Sequence, residues 1–279
     1  MAPSEFAQKT AIVTGGCGGL GRAIAEAFLE AGTNVITCDI NDDLISDFKE
    51  KVSTAHADRT LVLKLDITKD GSIDELFAEG KKVFKSIDFV VNNAGRIDKF
   101  DPVGAMDKAI WDAVIALNLT APALVCKAAV NEFLSEGKKG AIVNIGSIAS
   151  FRGFTCGAAY TASKHGLLGL TKNTGFFYAS KGIRCNAILP GGMATNIANS
   201  LAQGVNMEGM GAMRITCKLL DSPSCNRWRD ATDDLMVPEK ADLQVDTAKV
   251  SALVLYLCSD AASIINGAAW TADGGATAN

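Results

Sequence analysis

Thr14-Gly15-Gly16-Cys17-Gly18-Gly19-Leu20-Gly21 follows a β-branched run, Thr10-Ala11-Ile12-Val13, and leads straight into residues with helical spacing. Glycines let a chain turn sharply and bring its backbone close to a pyrophosphate. The helix behind them offers unpaired N–H groups and the positive end of its dipole. Two registers fit. Gly16, Gly18 and Gly21 satisfy G-x-G-x-x-G, and Gly15, Gly19 and Gly21 satisfy T-G-x-x-x-G-x-G. Leu20, Ile24, Ala27 and Phe28 form one stripe of a helix over 20–31, which Gly32 stops. Asp39 stands 18 residues beyond Gly21, at the end of a second strand. That is close to the ~20 expected of a carboxylate that binds the adenosine ribose hydroxyls. Such a carboxylate repels a 2′-phosphate, and no Arg or Lys follows it in Ile40-Asn41-Asp42-Asp43. The pattern points to NAD(H) rather than NADP(H).

The same alternation continues along the chain. Short β-rich runs at 10–14, 34–40, 61–67, 87–92, 141–145, 183–189 and 268–271 read as seven strands. Helical spacing falls between them, at 70–85, 103–136, 157–181 and 246–258. Nearly continuous apolar strands alternating with helices predict an α/β fold: a doubly wound parallel sheet of Rossmann type with helices on both faces. One domain spanning 1–279 is expected. Residues 195–245 interrupt the rhythm, with four methionines, Trp228 and two prolines but no clear strand. A long irregular stretch inside a compact domain is usually functional, and this one reads as a substrate lid.

Composition narrows the function classes. Against 31 acidic residues stand 27 basic ones, a net charge of −4, so no basic excess exists to neutralise nucleic-acid phosphates. An apolar content of 48% excludes wholesale disorder. No stretch of ~18 uninterrupted apolar residues is present, and residues 1–10 lack a secretory apolar core, so no membrane partner is expected. Eight scattered cysteines form no Cys-x-x-Cys pair, and only His56 and His165 could join them as soft ligands. No metal site is expected, and free thiols fit a reducing, cytoplasmic compartment.

Tyr160 and Lys164 lie four apart, on one face of a helix. Ser147 follows the fifth strand, where a hydroxyl faces the crevice at the sheet's carboxyl edge, and Asn118 sits in a preceding helix. Carbonyl/alcohol redox chemistry needs such a set: an acid/base, a donor to polarise the oxygen, and a cation near the acid/base. His165, about 100° around the helix from Lys164, reads as packing or interface.

On these residues the chain resembles the short-chain dehydrogenase/reductase family over essentially its whole length. The glycine motif is Thr14-Gly15-x-x-x-Gly19-x-Gly21, followed by Asp66 at the end of the third strand and Asn92-Asn93-Ala94-Gly95 at the end of the fourth. Asn118, Ser147, Tyr160 and Lys164 match the catalytic set, and Pro190-Gly191, Thr195 and Asp273-Gly274-Gly275 complete it. The resemblance implies a cofactor site of Gly15, Cys17, Gly19, Leu20, Gly21, Asp39, Ile40, Asp66, Ile67, Asn93, Ala94, Gly95, Tyr160, Lys164, Pro190, Gly191 and Thr195. It implies substrate contacts from Ser147, Ile148, Phe154, Tyr160 and Met193. Tyr160 would be the acid/base, Lys164 would lower its pKa and hold the nicotinamide ribose, Ser147 would donate to the substrate oxygen, and Asn118 would bind a relay water. The resemblance implies a homodimer or homotetramer acting on a small alcohol or ketone, and the apolar bias of residues 193–236 suggests a lipophilic or ring-bearing one. An NADP(H)-dependent carbonyl reductase, a non-redox enzyme and a nucleotide-sensing protein on the same scaffold remain alternatives.

Overall fold

Strand β1 (Thr10–Thr14) lies between β2 (Asn34–Asp39) and β4 (Phe89–Asn92), and β3 (Thr60–Lys64) pairs with the far side of β2. Beyond β4 follow β5 (Gly140–Ile145), β6 (Ile183–Pro190) and β7 (Ala269–Ala272), every pairing parallel. The order β3-β2-β1-β4-β5-β6-β7 reverses direction between β1 and β4. Ligand crevices of doubly wound sheets open at that switch point, beyond the strands' carboxyl ends. The structure is a computed structural model and describes residues 5–219 and 245–278.

Alternation along the strands builds two cores. Ala11, Val13, Val35, Val91 and Val143 face helices α1 (Gly19–Glu30) and α8 (Thr247–Cys258). Ile12, Ile36, Val90 and Ile142 face α3 (Ser72–Phe84), α5 (Ala121–Ser135) and α6 (Ala158–Tyr178). Fully buried Phe28 and Phe133 anchor the two sides, each worth about 1.5–3 kcal/mol of apolar transfer.

The seven expected strands are present, with most ends moving by a residue or two and β3 stopping three residues early. β3 stops at Lys64 because the Asp66 carboxylate takes the N–H of Thr68 at 3.0 Å and turns the chain. The helical stretch expected over 103–136 is in pieces. A 3-10 turn (Val103–Ala105) precedes α4 (Lys108–Ile115), whose start Asp107 caps, and a π turn (Ala116–Thr120) joins α4 to α5. By length and composition alone, Lys108–Ser135 could cross a membrane. In the fold it packs against α6 and the sheet, with Val114, Val125 and Ala129 fully buried.

Helix α2 (Asp42–Phe48) was not expected. Asn41 accepts the N–H of Leu44 at 3.0 Å, and Asp42 and Asp43 lie in its first turn. Of the expected lid, a 3-10 stretch (Asn196–Gln203) and α7 (Met207–Leu219) are helical. Residues 220–244 lie outside the described residues, so the remainder of that expectation does too.

Candidate active site

The glycine turn adopts the second of its two registers. Gly15 and Gly19 have φ of 62° and 52°, left-handed values that disfavour any Cβ. A Cβ on Gly21 would lie 2.1 Å from the Gly15 carbonyl oxygen and 2.4 Å from Asn93 Nδ2. Neither neighbour can yield, because Asn93 Nδ2 already donates to the carbonyls of Thr14 (3.0 Å) and Gly15 (3.1 Å). Gly21→Ala is therefore expected to lower the melting temperature and weaken NADH at least about tenfold, an overpacking cost of about 1–3 kcal/mol. Fluorescence titration and thermal unfolding read both.

Several residues of the implied cofactor site act through backbone. The side chains of Cys17 and Leu20 are buried in the α1 core, and that of Ile67 lies in the core on the α3/α5 side. Thr14 Oγ1 accepts the N–H groups of Asn93 and Ala94, each at 3.1 Å, which fixes the 92–95 loop against the glycine turn. Asn92 donates across the sheet to Asn144 Oδ1 at 2.8 Å. The start of α1 carries no side-chain cap and no acidic residue in its first turn, so its N–H groups are available to an anion. Thr195 and Asn196 approach Gly19 and Gly18 from above. Gly191 donates to Ala272 O at 3.1 Å and leaves no more than van der Waals space against Asp273. At the end of β2, Asp39 Oδ1 accepts the N–H of Ile40 (2.8 Å) and Asn41 (3.1 Å). Leu65 N donates to Asp39 O at 3.1 Å, which sets Asp66 beside Asp39, while Ile40 is exposed. These residues fit a dinucleotide: a glycine cradle for the pyrophosphate and carboxylates at the adenosine end.

The four reactive side chains converge past β5. Ser147 caps a 3-10 turn (Ile148–Ser150), and its hydroxyl faces the Tyr160 phenol and favours its ionised form. Buried Lys164 places Nζ 5.6 Å from the centre of the Tyr160 ring and donates to Ile145 O at 2.8 Å. Asn118 sits in the π turn, where Oδ1 accepts Arg96 N (2.9 Å) and Nδ2 donates to Arg96 O (2.8 Å) and Ser163 Oγ (3.2 Å). Both ends of its amide are thus engaged in holding the strand-4 loop. Gly95 keeps the space between Asn118 Oδ1 and Lys164 Nζ open, since a Cβ there would sit 3.4 and 3.8 Å from them.

Electrostatics qualify one expectation. Burial pushes the Tyr160 phenol well above its ordinary value, the Cys156 thiol and Asp98 add to the rise, and the Ser147 hydroxyl opposes it. Lys164 does not offset this on its own, because its ammonium lies over the ring rather than at the oxygen. Burial pulls Lys164 itself down to about 8, against the Cys156 thiol. At pH 7 it is still protonated about ten to one.

On the substrate side, Ile110, Val114, Ala149 and Ala159 pack with Tyr160, joined by Ile97, Trp111, Cys156 and Ile197. Ile148 and Phe154 are half-buried in the 147–157 segment. Met193 packs instead on the core beneath α1 and α8, and Ile197 is the residue of that segment which reaches Tyr160's neighbours. Sequence reasoning passed over Asp98 and Cys156. Asp98 stands three residues after Gly95, a visible position, but its partners lie 59 and 62 residues away.

A family model described as short chain dehydrogenase matches residues 9–206. The short chain dehydrogenase/reductase dpchG of Colletotrichum higginsianum is 46% identical over 206 residues, covering 73% of this chain and 76% of that protein. The 3β-hydroxysteroid dehydrogenase 2 of Eggerthella lenta is 34% identical over 270 residues, covering 97% and 95%. The crystal structure of levodione reductase superposes with a TM-score of 0.81 at 28% identity, covering 98% of this chain and 99% of that one. With the glycine cradle, the buried phenol–ammonium–hydroxyl set and the parallel sheet that assembles them, the chain belongs to the short chain dehydrogenases, enzymes that interconvert CH–OH and C=O with a nicotinamide dinucleotide.

Proposed function

We propose that this enzyme is an NAD(H)-dependent oxidoreductase that interconverts a secondary alcohol and a ketone on a lipophilic, ring-bearing small molecule. The observation that carries the reading is the apolar wall formed by half-buried Ile97, Trp111 and Ile197, packed on the buried cluster that holds the acid/base Tyr160. A ring system needs such a wall, whereas a short polar alcohol gains nothing from it. The hydroxysteroid dehydrogenase named above acts on a steroid, a ring system, which supports the same class.

In oxidation, Ser147 donates to the substrate oxygen and Tyr160 Oη takes its proton, while Lys164 holds the local positive charge. In reduction Tyr160 returns the proton. When bound, the nicotinamide cofactor supplies or accepts the hydride and, oxidised, brings a further positive charge. NAD(H) is favoured because Asp39 Oδ1 is tied to backbone and Oδ2 remains for a ribose hydroxyl. The neighbouring Lys64 is held on Asp42 at 2.7 Å, away from Asp39. The described part of the expected cover, the 3-10 stretch Asn196–Gln203 and α7, supports a substrate cover over this site. Free thiols at Cys17, Cys38, Cys126, Cys156, Cys185 and Cys258 fit a cytoplasmic setting.

A panel of ring alcohols and ketones, including 3β-hydroxysteroids, followed at the nicotinamide absorbance band with both cofactors, tests the reading. Turnover confined to small acyclic alcohols would refute the substrate class. The active form is a homodimer or homotetramer joined through α5 and α6, where Leu124, Leu134, Phe176 and Phe177 are exposed. Phe176→Asp with Phe177→Asp is expected to yield monomers by light scattering. An unchanged assembly would place the interface elsewhere.

A further inference from the structure

Helix α6 carries both Tyr160 and Lys164, yet its N-cap, Gly157, has no side chain to offer. The first N–H groups of a helix need acceptors from somewhere. Here they come from the loop after β4. Asp98 Oδ1 accepts Gly157 N at 3.0 Å, Asp98 Oδ2 accepts Tyr160 N at 2.8 Å, and Asp101 O accepts Ala158 N at 2.9 Å. Asp98 is buried, and its Oδ1 also takes Phe100 N at 3.1 Å. Phe100 is held at φ 65°, a left-handed value that costs a bulky residue about 1–3 kcal/mol. The loop is gripped from its other side as well. Asn206 donates its N–H to Lys99 O (2.8 Å) and its side-chain amide to Asp101 Oδ1 (2.9 Å), just ahead of α7.

We propose that Asp98 is a positioning residue for the acid/base: its carboxylate caps the catalytic helix from outside and sets the place of Tyr160. The inference rests on the reading of Tyr160 as acid/base. A carboxylate at a helix N-terminus is doubly suited, as hydrogen-bond acceptor and as charge against the helix dipole. The contact is built without slack. A Cβ on Gly157 would meet both Asp98 oxygens and Asp101 N at 2.6 Å, although its φ of −72° and ψ of 178° suit alanine. The groups facing the phenol are Asp98, Cys156, Ser147 and Lys164. Of these Asp98 is the carboxylate, so removing its charge moves phenol ionisation to lower pH.

Two variants test this. Asp98→Asn removes the charge and one acceptor, and Gly157→Ala keeps the charge but displaces the carboxylate. Each is compared with the unaltered enzyme by circular dichroism, NADH titration and oxidation of a 3β-hydroxysteroid. Tyrosinate absorbance is titrated in the NAD complex, with Tyr160→Phe as blank. Folded variants are expected to bind NADH within about twofold and hold KM, while kcat falls about 10- to 100-fold, as a misplacement near 1 Å costs. In Asp98→Asn the tyrosinate signal is expected at lower pH. Wild-type kcat in either folded variant, or an unmoved tyrosinate midpoint in Asp98→Asn, overturns the inference. Should Asp98→Asn not fold, the kcat of Gly157→Ala decides. A wild-type enzyme that oxidises none of the steroids defeats only the substrate reading, because the tyrosinate titration needs no substrate. Full activity in Tyr160→Phe would defeat the acid/base reading itself.

Discussion

Phenylalanine in place of Tyr160 is expected to lower turnover by about 100- to 10,000-fold, the range spanned by a positioned acid/base, while NADH still binds. The ring is buried among Ile110, Val114, Ala149 and Ala159, and phenylalanine keeps every one of those apolar contacts. What disappears is a single oxygen, the one that the Ser147 hydroxyl faces and that burial holds protonated. Because the phenol is already disfavoured as an anion, no other buried group can take over at that spot. Lys164 lies over the ring face and spends Nζ on Ile145 O, and Cys156 is itself pushed well above its ordinary range by burial. The defect should therefore appear in kcat at every pH, with cofactor affinity and melting temperature near those of the unaltered enzyme. Turnover within about tenfold of the parent would mean that the proton leaves by another route.

Much of this site is legible in the chain because its determinants are local. The glycine turn, Asp39 and the Tyr160–Lys164 pair each declare themselves within one element, since helix and strand periods dictate which side chains share a face. The seven strands are legible for the same reason: continuous β-branched runs suit strands covered on both sides. The choice between the two glycine registers was not legible. It shows only in the left-handed φ of Gly15 and Gly19, which the folded turn imposes and no spacing reveals. Helix α2 was missed although Asn41-Asp42-Asp43 is a helix start in plain view, because its seven residues are too few for a periodic stripe. The break of 103–136 at a π turn was also hidden, since apolar spacing runs through Asn118 uninterrupted. Asp98 illustrates the general limit. Its identity is visible, but its function exists only once β4 and α6 are brought side by side, and no spacing rule connects residues so far apart.

Alanine at Asp39 is expected to weaken NADH about 10- to 100-fold, the loss of one charge-assisted hydrogen bond worth about 1.5–3 kcal/mol. The same substitution should leave NADPH binding unchanged or tighter, because a carboxylate facing a 2′-phosphate is a like-charge pair that costs several kcal/mol. The ratio of the two affinities therefore moves by more than either affinity does. Stability should barely change, since the bonds from Asp39 Oδ1 to Ile40 N and Asn41 N are solvent-exposed, and surface losses stay near about 0.5 kcal/mol. That contrast separates a cofactor contact from a structural cap of the β2 turn. A capping Asp39 would give the reverse: a lower melting temperature with NADH affinity intact. Isothermal titration with both dinucleotides, on parent and variant, distinguishes the two. Tighter NADPH than NADH in the parent would overturn the NAD(H) assignment outright, because only a cation in place of the missing Arg or Lys at positions 40–43 could favour that phosphate there.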